Sequence, residues 1–170
     1  MRRLLLLLAG LLGATSGRAQ PATQPGPPPA LKEYAARILT RMIETTREQT
    51  IANGVKPIPP AIYRGLLGYF PAALLQRVRY ASGQAGGIAL PAIAFTYGDV
   101  AAMALGEVIV FRDERVAQSD LKLWAHELTH VLQYQRWGTE GFASRYVADR
   151  TGVEREAYAN AERFVAWRGK

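Results

Sequence analysis

Apolar residues recur at helical spacing between Leu31 and Ala52, at Leu31, Ala35, Ile38, Leu39 and Met42, which predicts a first helix stopped by Asn53-Gly54. Lys56-Pro57-Ile58-Pro59-Pro60 reads as a rigid connector, and Ala61 to Leu75 as one or two short helices broken at Pro71. Two runs rich in β-branched and aromatic residues, Ala92 to Tyr97 and Val108 to Phe111, predict a small sheet. Ser119 or Asp120 then caps a helix running through LKLWAHELTHVLQYQRW and ending at Gly138. A last helical stretch follows from Thr151. The expected fold is α+β, mainly helical, with a small β-sheet beside the 121–137 helix.

The ends of the pattern differ from its middle. Residues 1–19 open with Arg2 and Arg3, followed by an apolar run from Leu4 to Leu12 and then small residues ending in Gly17-Arg18-Ala19, the three-part layout of a cleaved signal peptide. That run is about half the roughly 20 residues a membrane span needs, so no stable span is expected after cleavage. Periplasmic or secreted bacterial localisation follows. Residues 20–30 hold five prolines and read as an extended tether, leaving 31–170 as one domain.

Composition sharpens this picture in two places. The formal charge is +7, which falls to +4 once Arg2, Arg3 and Arg18 are removed with the leader; the remaining basic residues form no stripe, so nucleic acid is not an expected partner. The chain contains no cysteine, which excludes disulfides and thiolate chemistry, so a metal site must be built from His, Asp and Glu.

The chain's two histidines, His126 and His130, both lie in His126-Glu127-Leu128-Thr129-His130. Histidines at i and i+4 leave one helix face about 5–6 Å apart, a spacing that suits two imidazoles on one zinc ion. Glu127 is then placed to act on water rather than to bind the metal. A catalytic zinc normally takes three protein ligands, and with no third histidine the remaining one must be a carboxylate. Glu154 or Glu156 can supply it. Helical phase favours Glu154, which shares a face with Ala157, Tyr158, Ala161 and Val165, over Glu156, which shares one with Asn160 and Arg163. A capping-box role for Glu154, begun by Thr151, is the competing assignment.

AFTYGDV, VIVF, HELTHVLQ and EREAYANA together resemble the core domain of proteins associated with extracellular contractile injection systems, a zincin-like family. The resemblance spans about Leu75 to Phe164 and implies a gluzincin-type metallopeptidase: zinc on His126, His130 and a glutamate, Glu127 as general base, and a peptide or protein substrate. It favours Glu154, because gluzincins often carry Glu-x-x-Ala-Asp and Ala157 stands at the matching distance. The final Asp of that pattern is Tyr158 here, so the carboxylate that commonly orients a zinc-bound histidine must be replaced by another group. Such enzymes also use a His or Tyr for the oxyanion, making Tyr158 the first candidate catalytic partner of Glu127, with Tyr146 and Arg155 behind it. Val108 to Phe111 is a candidate edge strand for an extended peptide. A non-catalytic zinc-stabilised scaffold or binding module is the alternative function, and a membrane-surface or anionic-polymer binder a third.

Overall fold

The computed structural model describes residues 28–83 and 100–169; the leader, most of the tether and the predicted strand at Ala92–Tyr97 lie outside the described residues. Helix α1 (Pro29–Ala52) begins two residues inside the segment read as tether. Proline is tolerated in a first helical turn, where its missing N–H would have no intrahelical acceptor. Asn53 closes the helix and Gly54, at φ 101°, turns the chain away. The predicted apolar stripe is not the buried one: Leu31, Ile38 and Met42 are exposed, while Ala36, Ile43, Thr46 and Thr50 face the core. Buried Thr50 is tolerated because its hydroxyl donates to the Thr46 carbonyl at 2.7 Å.

The chain continues through β1 (Lys56–Pro57), α2 (Pro60–Leu66), α3 (Ala72–Arg77) and β2 (Arg79–Ser82). It then forms β3 (Ala102–Leu105), β4 (Val108–Phe111), α4 (Glu114–Ser119) and the long α5 (Leu121–Arg168). The four strands stand in the order β1-β2-β4-β3, with β2 and β4 parallel and the other two pairs antiparallel. All four β4 residues are buried. Val108–Phe111 is therefore a central strand, and the expectation that it offers a free edge is corrected. Among the described residues the edge beside α5 belongs to β3, whose Ala-Met-Ala-Leu sequence becomes a strand because β4 supplies its ladder.

Trp124 packs in the centre, fully buried, with its ring 4.7 Å from that of Phe111 and its N–H donated to the Ala117 carbonyl at 2.7 Å. Asp120, rather than Ser119, caps α5 by accepting from the Leu123 amide at 2.9 Å. The long helix is interrupted twice, at Gly138 (φ 69°, ψ 171°) and at Asp149 (φ −149°, ψ 71°). Three segments result, 121–137, 139–148 and 150–168. The second break also settles the cap of the last segment. Asp149 accepts from the Gly152 amide at 2.8 Å, so Thr151 does not begin a capping box.

Candidate metal centre

His126 and His130 point the same way from the first segment of α5 and are buried, with their Nε2 atoms 3.1 Å apart. The two breaks bring the last segment back beside them. Glu154 Oε2 lies 3.4 Å from His126 Nε2 and 3.6 Å from His130 Nε2. Among the described residues these three form a group able to hold a metal ion, with their ligand atoms all within 4.8 Å of one another. A tetrahedral ion about 2.05 Å from each donor separates its donors by about 3.3 Å. Edges of 3.1, 3.4 and 3.6 Å fit that spacing, and two imidazoles with one carboxylate suit zinc.

The helical phase of the last segment differs from the expectation. Its buried stripe is Val153, Ala157, Ala161 and Phe164, while Tyr158 and Val165 are exposed. Glu154 and Glu156 occupy the two borders of that stripe, so both reach the first segment of α5 but at different places. Glu154 meets the histidines. Glu156 accepts from Gln133 Nε2 at 3.0 Å and from Arg136 Nη1 at 3.0 Å. Asn160, expected on an outward face with Glu156, instead donates to Thr129 Oγ1 and accepts from Tyr69, both at 2.8 Å.

Surrounding groups hold the donors in place. The Tyr146 hydroxyl donates to Glu154 Oε1 at 2.9 Å, leaving Oε2 turned to the histidines. Burial opposes ionisation of Glu154, yet the adjacent His126 and His130 rings, with the Tyr146 hydroxyl, outweigh it and hold the carboxyl well below the usual range. For His130, burial disfavours the charged ring, but the bond to Glu154 and the charges of Glu127 and Glu154 raise its pKa overall. Phe142 walls one side, 5.9 Å from the His130 ring and stacked on Tyr134 at 4.0 Å.

Glu127 is buried with Oε2 unpartnered among the described residues, while the backbone amide of Ala104 on β3 donates to its carboxylate. Burial pushes its pKa up. Tyr158 lies against His126, ring centroids 4.4 Å apart, and is 62% exposed. It lines a cavity of about 480 Å³ together with Arg150, Thr151, Glu154 and Arg155. Tyr146 is committed to Glu154, which separates its role from that of Tyr158. His126 Nδ1 has no partner among the described residues, the position where a carboxylate in place of Tyr158 would be expected to serve.

Gln133 and the Ala104 amide were not singled out from the sequence, and Glu156 entered only as the alternative to Glu154 as a donor. A signal for Gln133 was present, since a residue three positions after His130 shares its helix face. The Ala104 contact depends on sheet order, which no local pattern encodes.

Residues 57–138 match the family model described as the eCIS core domain. The match begins earlier than the resemblance noted above and ends at the first break of α5, so Glu154 lies beyond it. No curated protein and no solved structure matches the chain.

Proposed function

Residues 57–138 of this chain belong to the eCIS core domain family, that of proteins associated with extracellular contractile injection systems, and on that premise we propose that it is an exported zinc-dependent metallopeptidase. The observation that carries this reading is the convergence of His126, His130 and Glu154 beside a buried Glu127 whose Oε2 is unpartnered among the described residues. In this reading the first three hold zinc, which supplies Lewis acidity toward water and a scissile carbonyl.

The protein's own groups do the rest. Glu127, fixed by the Ala104 amide, accepts a proton from the attacking water as the new C–O bond forms. It passes that proton to the leaving nitrogen as the C–N bond breaks. Burial raises its pKa toward the working range, which suits both the acceptance and the return of the proton. Tyr158, on the cavity wall beside His126, is positioned to donate to the oxyanion. The segment 1–19 carries the chain out of the cytoplasm, and no described helix is long and apolar enough to cross a membrane.

A second reading, a zinc-stabilised binding module of the injection apparatus, draws on the missing partner of His126 Nδ1. One experiment separates the two. Purified chain is assayed for metal content and for cleavage of a peptide library, beside His126→Ala and Glu127→Gln. The enzyme reading expects about one zinc per chain, lost in His126→Ala, and cleavage that disappears in Glu127→Gln while zinc remains. Full zinc with no cleavage by the wild type selects the module, and no zinc after reconstitution at neutral pH refutes both.

A further inference from the structure

Gln133 is completely buried and links the candidate metal centre to Glu156. Its Oε1 lies 2.8 Å from His130 Nδ1, and its Nε2 donates to the Val153 carbonyl at 3.1 Å and to Glu156 Oε2 at 3.0 Å. A primary amide has one accepting and one donating end, and its orientation follows from what its neighbours can offer. Here both neighbours on the nitrogen side, a backbone carbonyl and a carboxylate, only accept. Turning the amide over would set the oxygen of this completely buried side chain against two acceptors. The carbonyl end therefore faces His130, and a hydrogen must sit on His130 Nδ1 to complete that 2.8 Å bond. In the neutral ring this leaves the lone pair on Nε2, the atom that faces His126 and Glu154.

We propose that Glu156, acting through Gln133, is a positioning residue that sets His130 in the tautomer whose Nε2 can bind a metal. The proposal builds on the metal-centre reading above and extends it to a group beyond the matched family segment. Arg136, 55% exposed at its side chain, anchors the outer oxygen of Glu156 at 3.0 Å and completes a line from the surface to the imidazole. The two histidines are held unequally: His126 Nδ1 has no partner among the described residues, so the donor polarity of the pair is imposed from the His130 side.

The test reads the tautomer directly, by two-bond nitrogen–proton NMR of the imidazoles in metal-free protein at a pH where the rings are neutral. Zinc affinity by competition with a chromophoric chelator is the second readout. The wild type should show His130 protonated at Nδ1 alone. Glu156→Ala and Gln133→Leu should give a mixture of tautomers and bind zinc about 10- to 100-fold more weakly. Glu156→Gln should restore the wild-type pattern, because its own carbonyl can accept from Gln133. A folded Glu156→Ala protein with a single Nδ1-protonated form and wild-type zinc affinity would overturn the proposal.

Should Glu156→Ala not fold, Glu156→Lys combined with Arg136→Glu keeps an ion pair while presenting a donor to Gln133. With the introduced ammonium donating and the Val153 carbonyl still accepting, that variant should no longer hold the amide one way round and should give a mixture of His130 tautomers; an unchanged single tautomer there refutes the relay. If the wild type takes no zinc, the metal reading fails, but the NMR result still decides whether Glu156 sets the ring.

Discussion

Replacing Glu154 by Gln isolates the third donor. Tyr146 holds the Oε1 position at 2.9 Å, so the glutamine carbonyl takes that place and its amide nitrogen, which has no lone pair to give, turns toward His126 and His130. Zinc then loses a donor as well as a negative charge. Losing an outer partner of a ligand costs up to about 100-fold in affinity, and losing a ligand itself should cost at least that, or about 2.7 kcal/mol. The assay is thermal unfolding with and without zinc. At free zinc one hundred times its Kd, the wild type should gain about 2.7 kcal/mol, a Tm rise of roughly 5–11 °C for a domain of this size. At the same concentration Glu154→Gln is at most half saturated and gains only about 0.4 kcal/mol, roughly 1–2 °C. Taking the difference with and without metal in each protein removes any effect of the substitution on the metal-free fold. A Glu154→Gln protein that gains as many degrees as the wild type would refute the assignment of Glu154 as a donor.

Two further substitutions probe the frame around the site. Glu114 accepts from Ser82, Gln118, Tyr80 and Lys56, and these bonds, opposed by burial, hold its pKa near 2 against an ordinary 4.5. Because the folded-state value is depressed, its contribution is fully present above about pH 4.5 and is lost as pH falls toward 2. Denaturant melts of wild type and Glu114→Gln should therefore differ most near neutrality and converge in acid; a gap that widens in acid would contradict this. Gly138→Ala should cost about 1–3 kcal/mol in the same melts, since φ 69° with ψ 171° is a conformation nearly confined to glycine. Nothing lies within 4 Å of the added methyl, so an unchanged stability would mean that the backbone term has been overstated.

The parts of this fold that were legible in the sequence are those written in local chemistry. Asn53-Gly54, the break around Pro71, Asp120 and Gly138 mark boundaries through dihedral preference and capping, which act within a few residues. The histidine pair was legible for the same reason, its spacing being a property of one helix. The parts missed depend on neighbours distant in sequence. β2 (Arg-Tyr-Ala-Ser) and β3 lack the composition of strands and are extended because β4 lies between them. The stripe of α1 was misjudged because exposed Leu31, Ile38 and Met42 are more apolar than buried Thr46 and Thr50, the latter bonding its hydroxyl within the helix. The last segment was misphased because Tyr158 was counted as an inward residue, whereas the stripe is centred on small Ala157 and Ala161. That shift separated Glu156 from the histidines correctly but hid its contact with Gln133.

The two interruptions of α5 also bear on how the molecule comes together. Along an unbroken helix, 28 residues would separate His126 from Glu154 by about 42 Å. Gly138 and Asp149 reduce that to 3.4 Å, so every candidate donor comes from one stretch, 126–154. Closing a loop of that length requires little chain entropy, and the cost grows only as the logarithm of length. Docking α1, by contrast, joins residues some eighty positions upstream. The site is thus local in chain terms even though the domain around it is not, and its donors can meet before the amino-terminal helix has found its place.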